Sequence, residues 1–245
     1  MDFWKYVGES NDIIFWIAIG IVLFVLGITP LLKKHRDKKL LKTVTSPNRG
    51  TKSERDLVLQ LLKYGVPAQT IFHDLYVEKN NGEFSQIDVV VATTQGIIVF
   101  EVKDYSGWIF GNGSYSHWTQ VLAYGKKKYR FYNPIKQNQS HIRVLRKRLN
   151  QLVNVPFFSI IAFYGDCTLK EINYVPAGTF LAKSSRIMEV LRTIKTDNEA
   201  APYTHKKELV DFLKQAMRNG ESISNQQKHI ENVNGLLGKN RIFDS

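Results

Sequence analysis

The sequence predicts an α/β protein, a mixed sheet flanked by helices, preceded by one transmembrane helix. Three observations lead to that class. The 245 residues are 43% hydrophobic and 23% charged, the composition of a chain that folds, which excludes global disorder and fibrous repeats. TIFHDLYVE (70–78), QIDVVVAT (86–93) and GIIVFEVK (96–103) are rich in branched and aromatic residues and are separated by short polar turns, as consecutive strands are. Ile13 to Ile28 contains no ionisable side chain, and with Thr29 to Leu32 the stretch reaches the roughly 20 residues a helix needs to cross a bilayer core.

The N-terminal apolar segment reads as an anchor because its flanks do not fit a cleaved leader. Residues 1–12 carry Asp2, Glu9 and Asp12 against Lys5, where a signal peptide has a positive n-region, and no small-residue cleavage site follows. Lys33, Lys34, Arg36, Lys38, Lys39 and Lys42 then stand against Asp37, an excess that stays on the cytoplasmic side. The expected arrangement is a single pass through the cell membrane, with residues 1–12 outside, 13–32 in the bilayer, and a basic juxtamembrane linker (33–50) leading to a cytoplasmic domain. The single cysteine, Cys167, excludes an internal disulfide framework and a multi-cysteine zinc module, and fits a reducing compartment.

The elements follow in order. TKSERDLVLQLLKYG (51–65) has helical spacing and a glycine stop. The three strands have apolar residues on both faces, so the sheet is expected to be covered on both sides. GWIFGNGSYSHW (107–118) reads as a further hairpin, and 135–152 as a helix with Ile142, Leu145, Leu149 and Leu152 on one face. FFSIIAFYG (157–165) is a buried strand, and 185–194 and 204–217 are amphipathic helices. The organisation is a domain over 51–165, an α/β extension over 166–218, and a polar, weakly structured tail over 219–245.

Chemistry is concentrated on two adjacent strands. A turn at Thr94-Gln95 places Asp88 opposite Glu101, and a turn one residue later places it opposite Lys103. In either register Asp88, Glu101, Lys103 and Gln86 share a face, because side chains alternate with period two. Opposed carboxylates about 5 Å apart at Cβ repel unless a proton, a cation or a lysine stands between them. A hard divalent ion, Mg²⁺ or Mn²⁺, suits such oxygen ligands, and a neighbouring lysine can orient water for attack on a phosphate. Glu101 and Lys103 alone would read as a surface ion pair. Asp88, inside an apolar strand, breaks the local pattern as functional sites do. Glu54 shares a helix face with Leu57, Val58 and Leu61 and so points to the sheet, either as a metal or water ligand or as part of a Thr51–Glu54 capping box.

Together these residues resemble a known family. Glu54 on a helix, Gln86-Ile87-Asp88, Glu101-Val102-Lys103-Asp104-Tyr105 with Gly107, Trp118, and Asn133-Pro134-Ile135 with Gln137 and His141 are similar to the nuclease-related domain, NERD. NERD is grouped with the PD-(D/E)xK nucleases. The resemblance covers roughly residues 50–160 and implies a restriction-endonuclease-like αβββαβ core. It further implies that Asp88 and Glu101 bind Mg²⁺ (or Mn²⁺), that Lys103 positions the attacking water, and that Glu54 completes the catalytic site. Gln137 and His141 resemble the Q-x-x-x-Y signature of RecB-like nucleases, with His141 in place of the tyrosine; for His141 itself the simpler reading is a satisfied surface histidine. Trp108, Trp118, Tyr105 and Phe131 read as packing residues rather than a base-stacking platform.

Charge points to an anionic partner. Lys and Arg number 34 against 22 Asp and Glu, a formal +12. No acidic residue occurs between Asp104 and Asp166, while Lys126, Lys127, Lys128, Arg130, Lys136, Arg143, Arg146, Lys147 and Arg148 all do. A basic stretch directly after the metal-site motif suits a nucleic-acid track, DNA before RNA; a solvated helix face beside an acidic membrane is the plainer account. The expected function is a membrane-anchored, Mg²⁺-dependent nuclease. The alternatives are a noncatalytic nuclease-fold module that binds nucleic acid or a protein partner at the membrane, and a scaffold whose basic face holds acidic lipid.

Overall fold

The computed structural model describes residues 3–149, 154–222 and 226–227. Its first element, α1 (Phe3–Leu41), is one helix that runs through the expected membrane span and on through most of the basic run, with Pro30 inside it. Among the described residues no helix is long and apolar enough to cross a membrane. The side chains of residues 13–15, 17, 18 and 25, within the expected span 13–32, lie outside the described set. Those of Ile21, Val22, Leu23, Phe24, Leu26, Leu31 and Leu32 are described and exposed.

Helix α2 (Lys52–Tyr64) starts where Thr51 Oγ1 accepts the Glu54 amide and stops at Gly65, whose left-handed backbone closes the last turn. Three antiparallel strands follow, β1 (Ile71–Glu78), β2 (Phe84–Ala92) and β3 (Ile97–Asp104). Next come β4 (Gly107–Asn112), β5 (His117–Leu122) and β6 (Lys127–Tyr132), then α3 (Pro134–Leu149) and β7 (Phe157–Tyr164). The chain continues through β8 (Cys167–Asn173), β9 (Thr179–Lys183), α4 (Ile187–Asp197) and α5 (Lys206–Asn219).

These strands form two sheets, one ordered β1-β2-β3-β7-β9 and the other β6-β5-β4-β8. In the first, β7 runs parallel to both β3 and β9, so the sheet is mixed. A parallel return to β3 needs a crossover, which β4 to β6 and α3 supply. Both faces are covered, as the apolar strands require. One core packs Leu57, Val58 and Leu61 of α2 and Ile187, Leu191 and Ile194 of α4 on Val89, Val91, Ile98 and Phe100. The other packs Ile142, Leu145 and Leu149 of α3 and Leu209, Leu213 and Ala216 of α5 on Val90, Ile97 and Val99. A third cluster, with Ile109, Trp118, Ile161 and Phe163, joins the second sheet to β7.

The helices and strands expected from periodicity are present, with ends shifted by up to four residues; residues 150–152 of the helix expected over 135–152, and most of the tail from 219, lie outside the described residues. Strands β6, β8 and β9 were not expected. KKYRFY is masked by its charge, CTLKEIN is largely polar and exposed, and TFLAK is short.

Candidate active site

The β2–β3 register is set by a tight turn in which the Thr93 amide donates to Gly96 O at 2.9 Å. It pairs Val89 with Phe100 and ends there. The next step would set Asp88 opposite Glu101; instead Asp88 Oδ2 accepts the Val102 amide at 2.7 Å. A side chain has replaced a ladder bond. Alternation breaks at the same level, because Ile87 joins Val90 in the α3-side core whereas strict period two would put them on opposite faces. On β1 the residue bracketed opposite is Asp74, in the left-handed region at φ 55°. The expectation that Gln86 and Asp88 share one face with Glu101 and Lys103 is therefore corrected: both flank Ile87, which faces α3, and Gln86 Nε2 donates to Asp74 Oδ1 at 2.9 Å.

Glu101 and Lys103 lie toward α3. Glu101 is 1% exposed, with Oε1 at 2.7 Å from Lys103 Nζ. Its Oε2 is 3.3 Å from His141 Nε2, a contact without hydrogen-bond geometry, and that atom is buried with no hydrogen bond. Lys103 Nζ also donates to Gln137 Oε1 at 3.1 Å. His141 Nδ1 pairs with Ser85 Oγ at 2.8 Å. The reading of His141 as a surface histidine is overturned, since its side chain is 12% exposed and faces Glu101.

Helix α3 holds Gln137 and His141 in place through two buried asparagines. Asn133 Oδ1 accepts the Ile135 amide at 2.9 Å, capping the helix, while Nδ2 donates to Asn112 O, Gly113 O and Tyr115 O of the β4–β5 turn. Asn138 Nδ2 donates to Val99 O and Ser159 Oγ, tying the same helix to β3 and β7.

Of the two roles open to it, Glu54 takes the capping-box one, with His73 as a further partner. Thr51 Oγ1 accepts its amide and donates to its Oε1 at 2.8 Å, and Oε2 is 3.2 Å from His73 Nε2. His73 Nδ1 in turn is 2.7 Å from Thr45 Oγ1. Both carboxylate oxygens are thus engaged by the protein. A Cβ on Gly50 (φ +61°) would fall 2.4 Å from Glu54 Oε2, so only glycine lets the chain pass over this pair. His73 and Ser85 were missed by the sequence reading; the signal for His73 was a fully buried histidine inside an apolar strand, the same violation that marked Asp88.

The electrostatics follow from burial and pairing. Burial pushes the Asp88 carboxyl well above the usual carboxylate range, and the charges of Glu101 and Glu54 push it further. Burial also works against ionised Glu101, but His141 and Lys103 outweigh it and hold the carboxyl below its ordinary value. Burial would discharge Lys103, yet Glu101 and Asp88 raise it above an ordinary lysine. Glu54 is drawn down by His73 and Thr51 against its own burial.

The donor set suits a hard divalent ion. A buried Asp88 carboxyl whose proton affinity Glu101 raises, and a Glu101 oxygen buried without a hydrogen bond, are groups that a cation would satisfy. Among the described residues no cluster of three or more His, Cys, Asp or Glu has metal-holding geometry, so such an ion would keep several waters. Of the basic residues, Lys126 precedes β6, Lys127, Lys128 and Arg130 are on β6, and Arg143, Arg146 and Lys147 are on α3; all are exposed. Arg146 lies over the Phe157 ring at 5.1 Å.

Residues 49–164 match the family model of NERD, the nuclease-related domain. The NERD match runs from Arg49 to Tyr164 and so takes in α2 to β7, every residue of the Asp88–Glu101–Lys103 group, and the Glu54–His73 pair. An uncharacterized protein of Bacillus anthracis is 29% identical over 153 residues, which cover 62% of this chain and 66% of the relative. The chain thus spans slightly under two thirds of that relative. No solved structure matches.

Proposed function

We propose that this protein is a membrane-anchored, Mg²⁺- or Mn²⁺-dependent nuclease that hydrolyses phosphodiester bonds, of DNA before RNA, on the cytoplasmic side. The observation that carries the reading is the bond from the Val102 amide to Asp88, where the β2–β3 ladder gives way, beside the buried Glu101–Lys103 pair of the same strand. The nuclease-related family match over the same residues supports it.

Asp88 and Glu101 would hold the ion, which supplies charge to polarise the scissile phosphate and offset the negative charge that develops on it. Lys103 keeps its proton, because its surroundings raise it, and so acts as a donor that orients water or a phosphate oxygen rather than as a base. Gln137 fixes the ammonium from α3, and His141 supports ionised Glu101 from the other side. Glu54, with both oxygens engaged, contributes through its charge on Asp88. The apolar run from Ile13 and the exposed side chains of Ile21, Val22, Leu23, Phe24, Leu26, Leu31 and Leu32 support the anchor, and Lys33 to Lys42 support the orientation.

A second reading, a noncatalytic nuclease-fold module binding nucleic acid or a protein partner, has one observation in its favour: Glu101 is 1% exposed and already held by Lys103 and His141. The full chain in neutral detergent, given labelled single- and double-stranded DNA and RNA in Mg²⁺, Mn²⁺ or EDTA, separates the two. Metal-dependent cleavage supports the nuclease; metal-independent binding without cleavage supports the module. A reporter fused after Ser245 that became active only on the outer side would reverse the orientation.

A further inference from the structure

The second sheet has one packed face and one open face. Ile109, Trp118 and Phe131 pack in the cluster against β7. Strand register sets the opposite face, where Trp108 pairs with Val121 and Val121 with Lys128, while Phe110 pairs with Thr119 and Thr119 with Arg130. His117 pairs with Tyr132 beyond them, their rings edge to face at 6.1 Å. Trp108 is 38% exposed and Tyr132 50%, and neither Trp108 nor Phe110 takes part in the three hydrophobic clusters. The expectation that Trp108 is a packing residue is therefore corrected. Lys170 Nζ of β8 stands 5.3 Å over the Trp108 ring. Outside α1, the exposed aromatic side chains among the described residues all belong to this sheet and its turns, except Tyr64.

We infer that this open face binds single-stranded nucleic acid, with Trp108 and Tyr132 stacking on unpaired bases and Lys128, Arg130 and Lys170 holding the phosphates. Aromatic rings laid beside cations on an exposed sheet form the arrangement that holds single strands without reading sequence. A duplex hides its base faces and has no use for exposed rings. An acidic membrane would satisfy the cations too, and it is one outcome of the test below. The position favours a substrate path, since β4 leaves β3 directly after Lys103, and β6 leads through Asn133 into the helix that carries Gln137 and His141. The inference deepens the nuclease reading and rests on it for the choice of nucleic acid as occupant.

The test is fluorescence anisotropy of labelled poly-dT, poly-U and a matched duplex with the full chain in neutral detergent and EDTA, where no cleavage occurs. Trp108→Ala and Tyr132→Ala are expected to weaken single-strand binding by about five- to a hundred-fold each, while duplex binding changes less than about twofold. Lys52→Met, an exposed change on α2 outside the site, is expected to bind as the parent does, and because binding is read in EDTA without cleavage, a failure of the nuclease reading leaves this result intact. Crosslinking of bromodeoxyuridine oligonucleotide to the unaltered protein covers the case of a variant that does not fold; adducts are expected at Trp108 or Tyr132. Unchanged affinity, equal loss for duplex and single strand, or adducts confined to other peptides would overturn the proposal. A parallel titration with short-chain phosphatidylserine in which the two substitutions weaken only lipid binding would overturn it in favour of a membrane-facing sheet.

Discussion

Asp88 Oδ2 accepts the Val102 amide at 2.7 Å, so a carboxylate does on the β2–β3 seam what a backbone carbonyl does elsewhere in the ladder. The arrangement brings an acid that burial and two like charges disfavour in its ionised form to the centre of the proposed site. Holding that acid ionised costs stability.

That cost has a pH signature. Asp88 is raised above its unfolded value near 3.8, so its contribution to stability is fully present below that pH and is lost as pH rises through the folded value. Asp88→Asn keeps an acceptor for Val102 but has no charge. Its melting temperature in EDTA is expected to match the parent near pH 4 and to exceed it increasingly toward pH 7.5, at about 2–4 °C for each kcal/mol gained. Thermal melts across that range check the sign.

Lys103 and Glu101 form a pair whose side chains are 18% and 2% exposed. Removing one partner of such a pair leaves the other uncompensated, and Lys103→Met is expected to cost about 3–5 kcal/mol. Glu101→Gln combined with Lys103→Met is expected to cost clearly less than the sum of the two single changes. Denaturant melts of the four proteins in a cycle give the coupling directly.

The Glu54–His73 contact predicts acid sensitivity. Glu54 is lowered, so it contributes stability above its unfolded value near 4.5 that is lost as pH falls through the folded value. His73→Leu removes a partner from a carboxylate that is 5% exposed and is expected to cost about 1–3 kcal/mol at neutral pH. It is also expected to move the start of acid unfolding to higher pH, read by circular dichroism from pH 7 to 3.

Arg49 ties the linker before α2 to the end of α5. Its Nε is 3.0 Å from Asp74 Oδ2, and Nη2 donates to Asp74 O and to Met217 O. Arg49→Met strands a carboxylate that is 6% exposed and is expected to cost about 3–5 kcal/mol. The exposed Lys52–Asp56 pair, at 3.8 Å, is the control; Lys52→Met is expected to stay within about 0.5 kcal/mol.

What the sequence disclosed and what it hid have physical causes. Strands β1 to β3 and β7 are buried on both faces, so their apolar runs announced them, and Asp88 stood out against that background. Of the two turns the sequence left open, the structure has the one at Thr94-Gln95. The break in alternation at Asp88 was not, because it depends on a side chain displacing a ladder bond and on Asp74 adopting positive φ across the pair. His141 was weighed by its own helix, where it looks like any polar residue, and only the packing of α3 on β3 turns it toward Glu101. The open face of the second sheet was hidden because β6 reads as a simple basic run, so its pairing with β5 was not visible.

The central claim is that Asp88, Glu101 and Lys103 form a metal-dependent phosphodiester-cleaving site. Single-turnover cleavage of labelled single-stranded DNA by the full chain tests it most directly, with Mg²⁺ or EDTA, for the parent, Asp88→Asn and Lys103→Met. The account predicts cleavage that requires the metal and falls about a hundredfold or more in both variants while each remains folded. Cleavage that persists in EDTA, or survives both substitutions, would contradict it.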